Sequence, residues 1–81
     1  MTPLLKTYSG TASYQAMSAT RLLFRGRMSA LTGTITLRRI GETDSVALLT
    51  TDAPIQFDGV DLSQMEFVGN SNALKVSGVV Q

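Results

Sequence analysis

Apolar and polar residues alternate with a period of two along much of the chain. The alternation is clear in residues 34–37, 56–58 and 64–67. A period of two puts alternate side chains on opposite faces of a strand, whereas an amphipathic helix needs apolar residues three and four apart. Only residues 13–23 offer a loose helical spacing, and because they lack a clear N-cap we interpret them as irregular or strand. The pattern therefore predicts an all-β chain.

Glycine, asparagine, proline and aspartate interrupt the alternation at short intervals. They predict turns at residues 9–10, 26, 32–33, 41–44, 51–54, 58–59, 69–72 and 77–78. Strands are expected near residues 4–9, 11–16, 20–25, 33–40, 45–50, 54–58, 64–69 and 73–80, with some merging to leave about seven. Residues 69–72 are the sharpest hairpin prediction, because glycine and asparagine tolerate left-handed backbone. This spacing is typical of a small antiparallel β-sandwich or barrel rather than of βαβ units.

The predicted strands supply one apolar core and one domain. A chain of 81 residues is too short for two ordinary domains. We divide it into an N-terminal arm or edge strand, residues 1–18, and a β-sandwich domain, residues 19–81. The residues expected in the core are Leu22, Phe24, Ile35, Leu37, Val46, Leu48, Ile55, Phe57, Leu62, Met65, Phe67, Leu74 and Val76.

So small a core is marginal unless something reinforces it. A chain of this length buries only about 60 to 65% of the surface that its unfolded form exposes. The sequence has no cysteine for a disulfide, and it has neither histidine nor cysteine to bind zinc. Oligomerisation is the remaining common reinforcement, and 43% apolar against 16% charged residues favours it. We expect no signal peptide and no membrane span, and therefore synthesis in a cytoplasm.

Charge is divided unevenly between the two halves of the chain. Residues 1–41 carry six basic residues and no acid, and residues 42–81 carry six acids and one lysine. Two interpretations stay open: the charges neutralise each other within one subunit, or basic and acidic faces meet across subunit interfaces. The second predicts an interface made by Arg25, Arg27, Arg38, Arg39, Asp58, Asp61 and Glu66.

Catalytic chemistry has few candidates in this sequence. Without histidine and cysteine, the usual general base and the usual thiolate nucleophile are both missing. Asp58 and Asp61 are three residues apart across a possible turn at Gly59 and could converge on calcium, but Asp-Gly is also a common turn element. We expect no catalytic site, no metal and no cofactor.

Nucleic-acid binding is the alternative function. Arg21, Arg25, Arg27, Arg38 and Arg39 could form a basic strand face, with Phe24 as a stacking platform. The net charge of only +1 weakens this hypothesis, and strand alternation places Phe24 on the opposite face from its neighbouring arginines. A carbohydrate-binding or adhesion module is weaker still, because the chain has no tryptophan to expose.

In the second half of the chain, residues 53–69 read APIQFDGVDLSQMEFVG and are followed by a polar turn and the strand Leu74-Lys75-Val76. This order of features resembles the C-terminal part of small structural proteins of tailed bacteriophage particles. Residues 19–26, ATRLLFRG, resemble the arginine-started strand that precedes these features in that family. The pattern spans about 60 residues of turns and strands, and Arg38-Arg39 departs from it.

The resemblance implies a compact sandwich of jelly-roll type that attaches in many copies to a virion. Such a protein decorates or cements the capsid, or belongs to the neck, tail or fibre. The expected partners are its own copies, with a trimer favoured, and the major capsid, neck or tail proteins, without nucleic acid or membrane. The arm, residues 1–18, is the segment expected to extend to a neighbour by strand addition.

Overall fold

Eight strands and one short 3-10 helix make up the fold in a computed structural model that describes all 81 residues. The strands are β1 (Thr2–Ser9), β2 (Gln15–Ala16), β3 (Leu23–Ala30), β4 (Thr34–Arg39), β5 (Ser45–Leu49), β6 (Ile55–Asp61), β7 (Met65–Val68) and β8 (Ala73–Val80). The helix, Leu62–Gln64, joins β6 to β7.

The strands pair as a long hairpin that has been rolled up. β1 pairs with β8, β2 with β7, β3 with β6 and β4 with β5, all antiparallel. These are the pairs that eight strands make when the chain folds back at the β4–β5 turn. Two further ladders, β3 with β8 and β4 with β7, close the roll.

The result is two four-stranded sheets packed face to face. Sheet A has the order β1-β8-β3-β6, and sheet B has the order β2-β7-β4-β5. This order of eight strands in two sheets is the jelly-roll arrangement, so the all-β sandwich prediction is confirmed. The sequence led us to expect about seven strands, and the structure has eight. Residues 1–18 supply β1 and β2, which are edge strands of the two sheets.

Three glycines predicted to form turns lie inside strands instead. Gly26 and Gly78 lie within β3 and β8, where they pair with each other. Gly59 lies inside β6, and with φ +82° it is the extra residue where the β3–β6 register shifts. Residues 69–72 do form a tight turn, closed by the amide of Asn72 donating to Gly69 O at 2.9 Å. The hairpin prediction there is wrong, because β7 and β8 belong to different sheets.

The core lies between the two sheets, and most of it agrees with the sequence. Nine of the thirteen predicted residues are buried, while Leu22, Ile55 and Phe57 are half-buried against the others. Val46 is exposed, which contradicts its assignment to the core. The prediction missed four residues of the hydrophobic core: Met17, Met28, Ala30 and Val80.

Sheet A depends on a close approach between two glycines at its centre. Gly26 of β3 faces Gly78 of β8, and the buried ring of Phe24 lies over both. A Cβ atom added to Gly26 would overlap Ser77 O and would lie 2.6 Å from the Cα of Gly78 and 2.8 Å from the Phe24 ring. The glycines therefore leave room for an aromatic side chain that fills the core above them.

Gly26→Ala is expected to destabilise the fold by about 1 to 3 kcal/mol, because the added methyl group overpacks the β3–β8 contact. Chemical denaturation followed by circular dichroism measures the change in the free energy of unfolding. Ser29→Ala, on the outer face of the same strand, is the control and should shift it by less than about 0.5 kcal/mol. Equal stability of Gly26→Ala and the wild type would contradict the packing described for Phe24.

Candidate functional site

The two sides of the sandwich close differently. On the β1–β2 side, Tyr8 of β1 reaches across the core to Phe67 of β7, with ring centroids 5.8 Å apart in an edge-to-face arrangement. Burial there raises the pKa of the Tyr8 hydroxyl. The ammonium group of Lys6 lies 4.7 Å from the centroid of the same ring. Sheets A and B are thus joined by aromatic packing along this side.

The opposite side is open. An apolar cleft of about 530 Å³ separates β5 of sheet B from β6 of sheet A. Val46 points into it from the inner face of sheet B, yet 55% of its surface is exposed because β6 does not cover it. The alternation along β5 correctly predicted that Val46 lies on the inner face of sheet B. Val46 is not buried, because no strand of sheet A covers it. The other apolar lining residues are Leu37, Ile55, Phe57, Val60 and Met65.

The strand that borders the cleft has an unprotected edge. β5 reads SVALL and contains neither a charged residue nor a proline. Edge strands usually carry such residues, or a bulge, to block pairing with another chain. The other two long edges have these features: β1 contains Pro3 and Lys6, and β6 contains Asp58 and the Gly59 bulge. β5 is therefore the edge best able to accept an additional strand.

Six of the seven residues predicted as an interface pair within the chain. Arg25 contacts Asp58 at 2.6 Å and Arg38 contacts Glu66 at 2.9 Å, joining neighbouring strands. Arg39 contacts Glu42 at 3.6 Å, and Asp61 contacts Arg21 at 3.7 Å. Every one of these pairs joins the basic half of the chain to the acidic half. Arg27, the seventh predicted residue, lies on the outer face of sheet A and has no carboxylate partner.

Arg38 is the most enclosed of the paired arginines. Its Nε donates to a carboxylate oxygen of Glu66 at 2.9 Å, and its guanidinium stacks on the Tyr14 ring at 3.6 Å. Only 31% of the Arg38 side chain and 13% of the Glu66 side chain are exposed. Since Tyr14 precedes β2, the arginine ties the short edge of sheet B to β4 across β7. Its role is structural in this arrangement.

Asp61 also has a structural role. Its carboxylate accepts from the Ser63 hydroxyl at 2.8 Å, which is the main cause of its lowered pKa. The amides of Ser63 and Leu22 donate to the same oxygen, and the Arg21 charge assists. The carboxylate caps the 3-10 helix and fixes the entry to β3. Because it binds protons less readily when folded, its contribution to stability is present above about pH 4 and is lost as the pH falls below that.

Five charged residues have no ion-pair partner, and their positions divide by sign. The three cations are on sheet A: Lys6 in β1, Lys75 in β8 and Arg27 in β3. The two carboxylates lie close to β5: Asp44 directly precedes the strand, and Asp52 follows it by three residues and accepts a hydrogen bond from the Leu49 amide at 2.9 Å. Counting charges along the sequence did not reveal this division, because it appears only when the eight residues in ion pairs are left out of the count.

Several other features bear on chemistry. No group of three or more histidine, cysteine, aspartate or glutamate side chains comes together where it could hold a metal ion. Asp58 and Asp61, weighed above as calcium ligands, are instead engaged by Arg25 and by Ser63 respectively. No helix is long and apolar enough to cross a membrane.

No protein-family model matches this chain, and comparisons with curated proteins and with solved structures gave no significant match.

Arg38→Ala is expected to cost about 1 to 3 kcal/mol of stability, because it leaves the largely buried Glu66 carboxylate without its partner. Arg25→Ala is the matched control: it breaks a shorter but exposed pair and should cost less than about 1 kcal/mol. Denaturant unfolding of both variants measures the difference. Equal losses would show that enclosure of the Arg38 pair does not govern its energy.

Proposed function

We propose that the chain is a structural component of a bacteriophage virion. In this proposal it self-associates, with a trimer favoured, and docks on capsid, neck or tail proteins, for example as a decoration or cement protein. It catalyses no reaction and needs no cofactor. Its place is the virion, after synthesis in the host cytoplasm.

The open side of the sandwich is the observation that carries the proposal. The cleft beside β5 leaves Val46 exposed, and Leu49 on the same strand is 47% exposed. At the far edge of sheet A, Leu5 is 79% exposed. A single chain cannot bury these surfaces, whereas neighbours in an assembly can, and each contact stabilises the small core by mass action.

The architecture agrees with the resemblance to phage structural proteins. Jelly-roll sandwiches of eight strands are frequent in viral capsid domains, and they also occur in lectins and cupins. Since one fold supports many functions, the sandwich alone does not select among them. The unprotected β5 edge favours assembly, because strand addition to an open edge is a common mode of protein recognition.

The charge pattern now supports assembly in a different way. Most of the predicted interface charges form ion pairs within the chain. They are therefore no longer a reason to expect association through those residues. Exposed salt bridges contribute little in any case. The proposal therefore rests on apolar edges and on the few unpaired charges.

Binding of single-stranded nucleic acid remains the alternative. Its support is the outer face of sheet A, where Arg27 and Lys75 are free of ion pairs. Arg25 on that face is held by Asp58. The buried or half-buried Phe24, Phe57 and Tyr8 belong to the opposite face, so the cations have no aromatic stacking partner beside them.

Light scattering is expected to give about three times the chain mass of 8.7 kDa for the purified protein. A labelled oligothymidylate should show no salt-sensitive binding. In virus particles purified from the source on a density gradient, an antibody should detect the chain. A monomer that binds the oligonucleotide in low salt, or particles that lack the chain, would contradict the proposal.

A further inference from the structure

The two sides of the sandwich that face away from each other carry complementary surfaces. β1 and β6 are opposite edges of sheet A, and β2 and β5 are opposite edges of sheet B. Since β5 and β6 border the same cleft, β1 lies on the far side of the molecule from it. An assembly that joins one side to the other therefore uses two different patches and not one self-complementary patch.

Two residues on the β1 side, Leu5 and Lys75, share the outer face of sheet A. Leu5 is opposite Ser77, and Thr7 is opposite Lys75, so strand alternation puts Leu5 and Lys75 on the outer face of sheet A. Leu5 is 79% exposed, and Lys75 has no carboxylate partner. Lys6 of β1 is a second unpaired cation at this edge, although it lies on the other face of the sheet, opposite Val76. This patch is apolar and positive.

The residues on the cleft side have the opposite charge. Asp44 and Val46 both line the cleft, and Val46 is its most exposed apolar residue. Asp44 and Asp52, at the two ends of β5, are the carboxylates of the chain that lack an ion pair. Arg38 and Arg39 also line the cleft, but they are paired with Glu66 and Glu42, so the unpaired charge of this apolar patch is negative. It also includes the unprotected backbone edge of β5.

From these two patches we infer that the occupant of the β5–β6 cleft is the β1 edge of a second copy of this chain. β1 of one copy lies along β5 of the next, Leu5 covers Val46, and Lys75 faces Asp44. Pro3 and Lys6 disfavour pairing between two identical β1 edges, whereas β5 adds neither a proline nor a charge to the contact. The contact is head-to-tail, so repeating it closes a ring when the rotation between copies permits closure. The inference names the interface of the self-association proposed above and rests on it.

The size of the chain allows this arrangement. A stable interface buries about 800 Å² on each partner. Each copy in a head-to-tail ring uses both patches, which would cover about a third of its 4875 Å² of accessible surface. That additional burial compensates for a core that is small in the single chain. The lysine–aspartate contacts set the direction of docking and weaken in high salt.

Two substitutions, one in each patch, test the two patches independently. In the inferred contact, Leu5→Asp places a carboxylate against Val46 and near the unpaired Asp44, and Val46→Asp places one inside the apolar cleft. Both positions are exposed in the single chain, so the fold should survive, which circular dichroism and thermal melting check. Leu31→Asp, an equally drastic change at another exposed position, is the control.

Light scattering should give the wild-type mass for Leu31→Asp and the chain mass for each of the other two variants. A 1:1 mixture of Leu5→Asp and Val46→Asp should give twice the chain mass and nothing larger. The Leu5→Asp copy keeps an intact cleft, and the Val46→Asp copy keeps an intact β1 edge, so these two patches can still bind each other. The other two patches each carry a new aspartate and repel, so the assembly stops at two copies.

The outcomes separate the inference from the proposed function. A multimeric wild type whose mass neither variant changes would overturn the β1–cleft contact and leave self-association standing. Two monomeric variants whose mixture also stays monomeric would overturn the head-to-tail arrangement. A wild type that is monomeric up to its solubility limit would overturn the proposed self-association and the inference with it.

Discussion

The approach of β3 to β8 at Gly26 and Gly78 is the contact on which the rest of the structure depends. β8 pairs with β1 on one side and with β3 on the other, so it connects the first strand to the centre of sheet A. The paired glycines let the Phe24 ring lie flat in the core between the sheets. Without that packing, the fold would lose the β3–β8 ladder, which joins the β1–β8 and β3–β6 pairs into sheet A.

A core organised around this point cannot enclose both sides of a short chain equally. Tyr8 and Phe67 close the β1 side with an aromatic contact, whereas no aromatic pair joins the two sheets on the β5–β6 side, which stays open. The consequence for function is direct. The surface that a single chain leaves uncovered is the surface that a neighbouring chain can bury, so the fold and the proposed assembly share one physical cause.

The sequence predicted the strands well, because burial on one face imposes a period of two that is visible in residues such as Ile35 and Leu37. It misplaced several turns, because a glycine that permits close packing of strands cannot be distinguished in the sequence from a glycine that permits a turn. Gly26 and Gly78 are of the first kind. It also misjudged Val46, because alternation identifies the inner face of a strand without showing whether another sheet covers it.

The candidate site was harder to predict for a related reason. The contrast between a basic and an acidic half was real, but Arg25, Arg38 and their partners lie opposite one another across the strands and neutralise it. Only the pairing of strands shows which charges remain, and these are the cations of sheet A and the aspartates beside β5. Sequence order alone contains no signal for that remainder, since it depends on contacts between distant residues.

Amide hydrogen exchange of β5 tests the central claim most directly. Its edge amides are exposed in a single copy and covered by a neighbouring β1 in the assembly. In the wild type, exchange at residues 45–49 should slow markedly as the protein concentration rises through the range where the mass in solution increases. Exchange in β5 that stays equally fast while the mass increases would contradict the claim, because the copies would then meet through another surface.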